Sequence, residues 1–170
     1  MLFARVINSE FLPSTQTLAE AAAAGLRNIV TAHLDGKNDR AKHREGFPRS
    51  GYYTEAADSV QAKMLNDHAA VVSIQKEGIY LHYVGGVIYP KPPRKYLAIP
   101  VNPAVWDQNP SEYDPSREKL HPVGGKLRDQ ETDEIYYQLV KSATIKADPD
   151  VLPTDAAMYD AMFAAMEGVL

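Results

Sequence analysis

Side chains able to do chemistry are scattered along this chain. Histidines stand at 33, 43, 68, 82 and 121. No two of them keep the His-x-x-x-His spacing that sets a pair of metal ligands on one helix face. Cysteine is absent, which removes disulfides, thiolate zinc sites, iron–sulfur clusters and a thiol nucleophile together. No serine sits in a Gly-x-Ser-x-Gly elbow. The pairs Gly85-Gly86 and Gly124-Gly125 lack the Lys-Ser/Thr that completes a phosphate loop. Carboxylates gather at Asp129, Glu131, Asp133 and Glu134 beside a proline- and glycine-rich stretch, the usual setting of a solvated loop and not of an acid/base pair. Asp148-Pro-Asp150 lacks the further oxygen ligands of a calcium loop. The expectation is a non-enzymatic protein with no cofactor and no metal.

Binding residues are easier to pick out. Lys37, Arg40, Lys42, Arg44 and Arg49 lie in residues 37–51, which read as a loop broken by Gly46, Pro48 and Gly51. A second basic group, Lys91, Arg94 and Lys95, sits in a proline-stiffened turn. A charge run of this kind is either a solvated surface or a face for a polyanion or acidic partner. Ten tyrosines, Tyr80, Tyr83, Tyr89 and Tyr96 among them, suit strands and subunit interfaces alike. Met158, Met162 and Met166 step by four, as core or as an adaptable contact face.

The elements that carry these residues can be read from periodicity. Thr17-Leu-Ala-Glu20 has capping-box spacing, and Leu18, Ala22, Leu26, Ile29 and His33 recur on one helical face ending near Asp35-Gly36. Residues 60–65 and 70–75 alternate about an Asn66-Asp67 turn, which predicts an antiparallel hairpin. Residues 79–84 fit a helical turn or a strand. Short strands are expected at 87–89, closed by Pro90, and at 96–99, closed by Pro100. Residues 102–130 read as irregular, 135–145 as strand, and a last helix starts at Thr154 or Asp155. The fold class is therefore α+β: an N-terminal helix, a mainly antiparallel sheet, a C-terminal helix and long irregular loops, read as one domain over 1–170.

Composition sets outer bounds. With 170 residues, 45% hydrophobic and 24% charged, the chain can bury a core of its own. A net charge of −4 argues against a wholly basic nucleic-acid binder. The first ten residues lack the basic-then-apolar pattern of a signal peptide, and the apolar stretch 18–26 is too short to span a bilayer. A cytoplasmic protein without a membrane partner is expected.

Gly85-Gly-Val-Ile-Tyr-Pro-Lys91, with Ile88 and Pro90 inside it, followed by Leu97-Ala98-Ile99-Pro100, resembles a segment of phage virion-morphogenesis and tail-completion (head–tail joining) proteins. The resemblance extends to residues 52–60 upstream and 137–146 downstream, covering about 50–170. It implies a small α+β structural subunit without catalytic residues. Such a subunit forms rings or acts as an assembly factor against a tail tube, connector or neck, in the virion and in host cytoplasm during assembly. Residues 85, 86, 88, 90, 91 and 97–100 would be structural motif positions. The alternative is a nucleic-acid-binding module using the 37–51 loop and the 91–95 turn, and a small hydrolase or lyase built on carboxylates and a histidine ranks behind both.

Overall fold

The computed structural model describes residues 13–40, 46–48, 50–106 and 108–170, apart from the side chains of residues 39 and 40. The protein is α+β, with helices near both ends of the chain and antiparallel sheets between them. Its contacts gather into two compact units, 1–40 with 52–79 and 149–170, and 41–51 with 80–148.

In the first unit, α1 (Thr15–Arg40) starts one turn earlier than the Thr17 box suggests. Ser14 is the cap: its Oγ accepts from the Thr17 N–H at 3.1 Å, and its carbonyl accepts from Leu18 N–H. The helix also runs past Gly36, so residues 37–40 are helical and not the start of a loop. Tertiary anchoring explains this. Leu34 is fully buried, His33 Nε2 lies 2.8 Å from the Asp150 carbonyl, and Lys37 Nζ is 3.1 Å from Asp150 Oδ2. Those ties outweigh the roughly 1 kcal/mol that an interior glycine costs a helix. The buried face is Ala23, Val30, Leu34 and Lys37, while Leu26 and Ile29 of the expected stripe flank it.

Against that face pack α2 (Tyr52–Asp58), the hairpin β1 (Val60–Asn66) and β2 (Ala69–Ile74), and Val151. The expected antiparallel hairpin forms, with Val60 opposite Ile74 through Met64 opposite Ala70 and a bulge that leaves Leu65 unpaired. The last helix of the chain, α5 (Asp155–Glu167), is capped by Thr154, whose Oγ1 accepts from Ala157 N–H. It crosses α1 where Gly25 sits. A Cβ at that position would stand 2.4 Å from the Ala161 carbonyl oxygen and 2.8 Å from Ala165 Cβ. Only hydrogen fits there. Met158 packs on the core and Met162 and Met166 are half-buried, which is the core reading of the methionine stripe.

The second unit is built on a sheet of order β4-β7-β6-β5: β4 (Leu97–Pro100), β5 (Leu120–Val123), β6 (Lys126–Asp129) and β7 (Ile135–Val140). A separate ribbon pairs β3 (Gly86–Ile88) with β8 (Ala143–Ile145), and α3 (Ile79–Val84), which begins at the end of the first unit, leads into it. Val105, Tyr136 and Tyr137 form the core, lined by Ala98, Tyr113, Leu120 and Leu127. Residues 102–130 are thus not the irregular loop expected from their prolines. Side-chain caps order them. Asn102 caps a short 3-10 turn at Pro103–Val105, Asn109 and Glu112 form a capping box on the single-turn helix α4 (Pro110–Tyr113), and Gly124-Gly125 turn the β5–β6 hairpin with positive φ at both residues.

Candidate interaction surface

The motif residues fall on one continuous segment, α3 through β4, and the strands they form are held by a single later stretch of chain. β3 pairs with β8, Gly86 opposite Ile145 and Ile88 opposite Ala143, while β4 pairs with β7, Leu97 opposite Val140 and Pro100 opposite Tyr137. The motif strands and the downstream piece 137–146 are therefore neighbours, although β3 and β4 do not pair with each other.

The glycine pair positions this segment. Gly85 N–H donates to the Leu81 carbonyl at 2.8 Å and closes α3 in the left-handed conformation, φ 75°. A Cβ there would lie 2.6 Å from Ala147 N, and one at Gly86 would lie 2.7 Å from Leu81 Cδ1. His82 carbonyl accepts from Asp148 N–H at 3.0 Å, pinning the same crossing. With the backbone held inward, the side chains go outward. Tyr80 is 74% exposed and Tyr89 67%, and Tyr83, Val84, Val87 and Ile88 are exposed as well. In β4, Leu97 and Ala98 are half-buried and Pro100 ends the edge strand, whereas Tyr96 and Ile99 are exposed. Pro90 is half-buried after β3, and Lys91, Arg94 and Lys95 all stand in solvent.

The other basic candidates separate from these. Lys37 is on α1, only 8% exposed, paired with Asp150 and 5.6 Å from the Tyr53 ring centroid. It is a packed structural cation and not part of a basic loop. Arg40 is the last residue of α1, and Lys42, Arg44 and Arg49 lie outside the described residues.

Titratable groups in the second unit hold structure. Burial works against the charge on Asp114, yet N–H groups of Leu120, Glu118 and Lys119 and the Ser116 hydroxyl donate to it and keep its pKa below the usual range. Asp129 is held low first by the Thr132 N–H, against its burial, with help from Glu131 N–H, the Thr132 hydroxyl and Tyr113. Burial pushes Tyr113 up to about 12, reinforced by Tyr136 and Asp129, and it pushes Tyr137 to about 12, reinforced by Glu112. Sequence reasoning placed Asp129 in a solvated acidic loop and passed over Asp114. The signal for both was local: an Asp followed by Pro-Ser, and an Asp three residues before a Thr.

Glu118 and His121 keep a Glu-x-x-His spacing, but His121 lies on β5 and faces Arg128 across the β5–β6 pair, so no helix face presents the two together. Among the described residues no group of three or more His, Asp or Glu is placed to hold a metal ion, and no helix is long and apolar enough to cross a membrane. A groove of about 500 Å³ runs along β1 beside α1, lined by residues 60–64 with Glu20, Ala23, Ala24 and Arg27. Compared with family models, curated proteins and solved structures, the chain finds no match in any of the three.

Proposed function

We propose that this protein is a non-enzymatic structural or assembly subunit of a phage or prophage tail, of the tail-completion or head–tail joining kind. The balance of buried and exposed apolar side chains carries this. Among the described residues ten apolar side chains are buried, whereas fifteen large ones are exposed. Contiguous apolar surface on a soluble monomer marks an interaction site, while scattered single residues need no explanation. Here the exposed residues are grouped: 80, 83, 84 and 87–89 along α3 and β3, and Tyr159, Phe163, Val169 and Leu170 along and just beyond α5. Tyr159 and Phe163 are one helical turn apart, beside the methionine stripe. The short strands support the same reading, because β3, β8 and β4 each leave an edge on which another chain can pair.

The motif resemblance supplies the kind of partner: tail-tube, connector or neck proteins, or further copies of this chain closing into a ring through head-to-tail contacts. Light scattering on the protein alone and mixed with a tail-tube or connector protein tests the proposal. The expected result is a mass several times that of the monomer in at least one mixture. A monomer that persists in every mixture would overturn it.

A further inference from the structure

Going beyond the assembly role, we propose that the turn between β3 and β4, which shares Tyr89 with the α3–β3 face, is a binding site for single-stranded nucleic acid. From Gly78 to Trp106 the chain holds no Asp or Glu, although its net charge is −4. Inside that acid-free stretch, Lys91, Arg94 and Lys95 are exposed, and among the described residues none of the three enters an ion pair. Two tyrosines bracket them, Tyr89 at 67% and Tyr96 at 46% exposure. The turn is preset: Arg94 N–H donates to the Lys91 carbonyl at 3.0 Å, and Pro90 before it and Pro92 and Pro93 within it restrict the backbone.

Exposed rings beside unpaired cations are the parts of a stacking platform. Each base offers a π-face to a tyrosine and each linkage a phosphate to Lys or Arg, with no need to read sequence. An acidic protein surface would satisfy the cations but offers no run of flat rings to match the two flanking tyrosines. A duplex hides its base faces. A flexible single strand therefore fits best.

Fluorescence anisotropy with a labelled oligo-dT strand, at low ionic strength and through a salt titration, reads the site. The intact protein should bind with a log–log salt slope of about −2, the value for three phosphate contacts on a single strand. The double variant Tyr89→Ala, Tyr96→Ala should weaken binding by about tenfold or more with the slope unchanged. Lys91→Gln with Arg94→Gln and Lys95→Gln should abolish the salt dependence. Circular dichroism checks that these surface variants remain folded. Absence of binding at low salt would overturn the proposal. So would tyrosine variants that bind like the parent, or inorganic polyphosphate competing as well as the oligonucleotide, since either would make the turn a general anion face.

Discussion

At the scale of single residues, buried polar groups do the ordering that a small apolar core does not. Asp114 and Asp129 each satisfy several backbone N–H groups around the β5–β6 hairpin. Because their pKa values are lowered in the fold, their stabilising effect is fully present above the ordinary carboxylate pKa of about 4. It is lost as pH falls through the lowered values. Trp106, the chain's one tryptophan, lies in this unit, so its fluorescence should report loss of the hairpin region below about pH 4. Asp129→Asn should lose that acid transition in part and melt at lower temperature at neutral pH. At the alkaline end the sign reverses in cause. Tyr113 and Tyr137 ionise near 12 in the fold and near 10 when unfolded, so stability should decline from about pH 10 upward. Tyrosinate absorbance rising together with unfolding would confirm it, and early ionisation of all ten tyrosines in a folded chain would contradict it. Lys37 is a contrasting case. Its Asp150 partner is 66% exposed, so Lys37→Met, which keeps the buried stem, should change stability by no more than about 1 kcal/mol in thermal melts.

At the scale of elements, what was legible in the sequence depended on which force decides each one. The 60–75 hairpin and the last helix obey local rules, alternation about a polar turn and a Thr154 cap, and both form where expected. The extent of α1 was misjudged at each end because a serine one turn upstream supplied the cap, and because packing of Leu34 and Lys37 carried the helix through Gly36. Residues 102–130 were missed for a different reason. Their strands are four residues long, one holds Pro122 on an edge, and the order comes from Asn and Asp side chains and not from apolar periodicity. The motif strands were found, but their partners β7 and β8 are long-range and no local pattern announces them. Two glycines test the element contacts. Gly25→Ala places a methyl against the Ala161 carbonyl at the α1–α5 crossing and should cost about 1–3 kcal/mol in denaturant unfolding. Gly85→Ala combines positive φ with a clash on Ala147 N and should destabilise the second unit by about as much, seen in Trp106 fluorescence. Unaltered unfolding in either variant would mean that the close approach is not a constraint.

At the scale of the whole molecule, the proposed assembly role assigns the exposed apolar groups on α3–β3 and on α5 to contacts with partners. Phe163→Glu and Val87→Glu are exposed changes that should leave melting within about 0.5 kcal/mol of the parent while weakening assembly. The loss is attributable to the surface only when both hold. The most direct measurement is hydrogen–deuterium exchange on peptides covering residues 79–89, in the protein alone and in its complex with a tail-tube or connector protein. The expected result is a marked fall in exchange on the open side of β3 in the complex. Equal exchange in the two states of a stoichiometric complex would contradict the claim that this face exists to be covered.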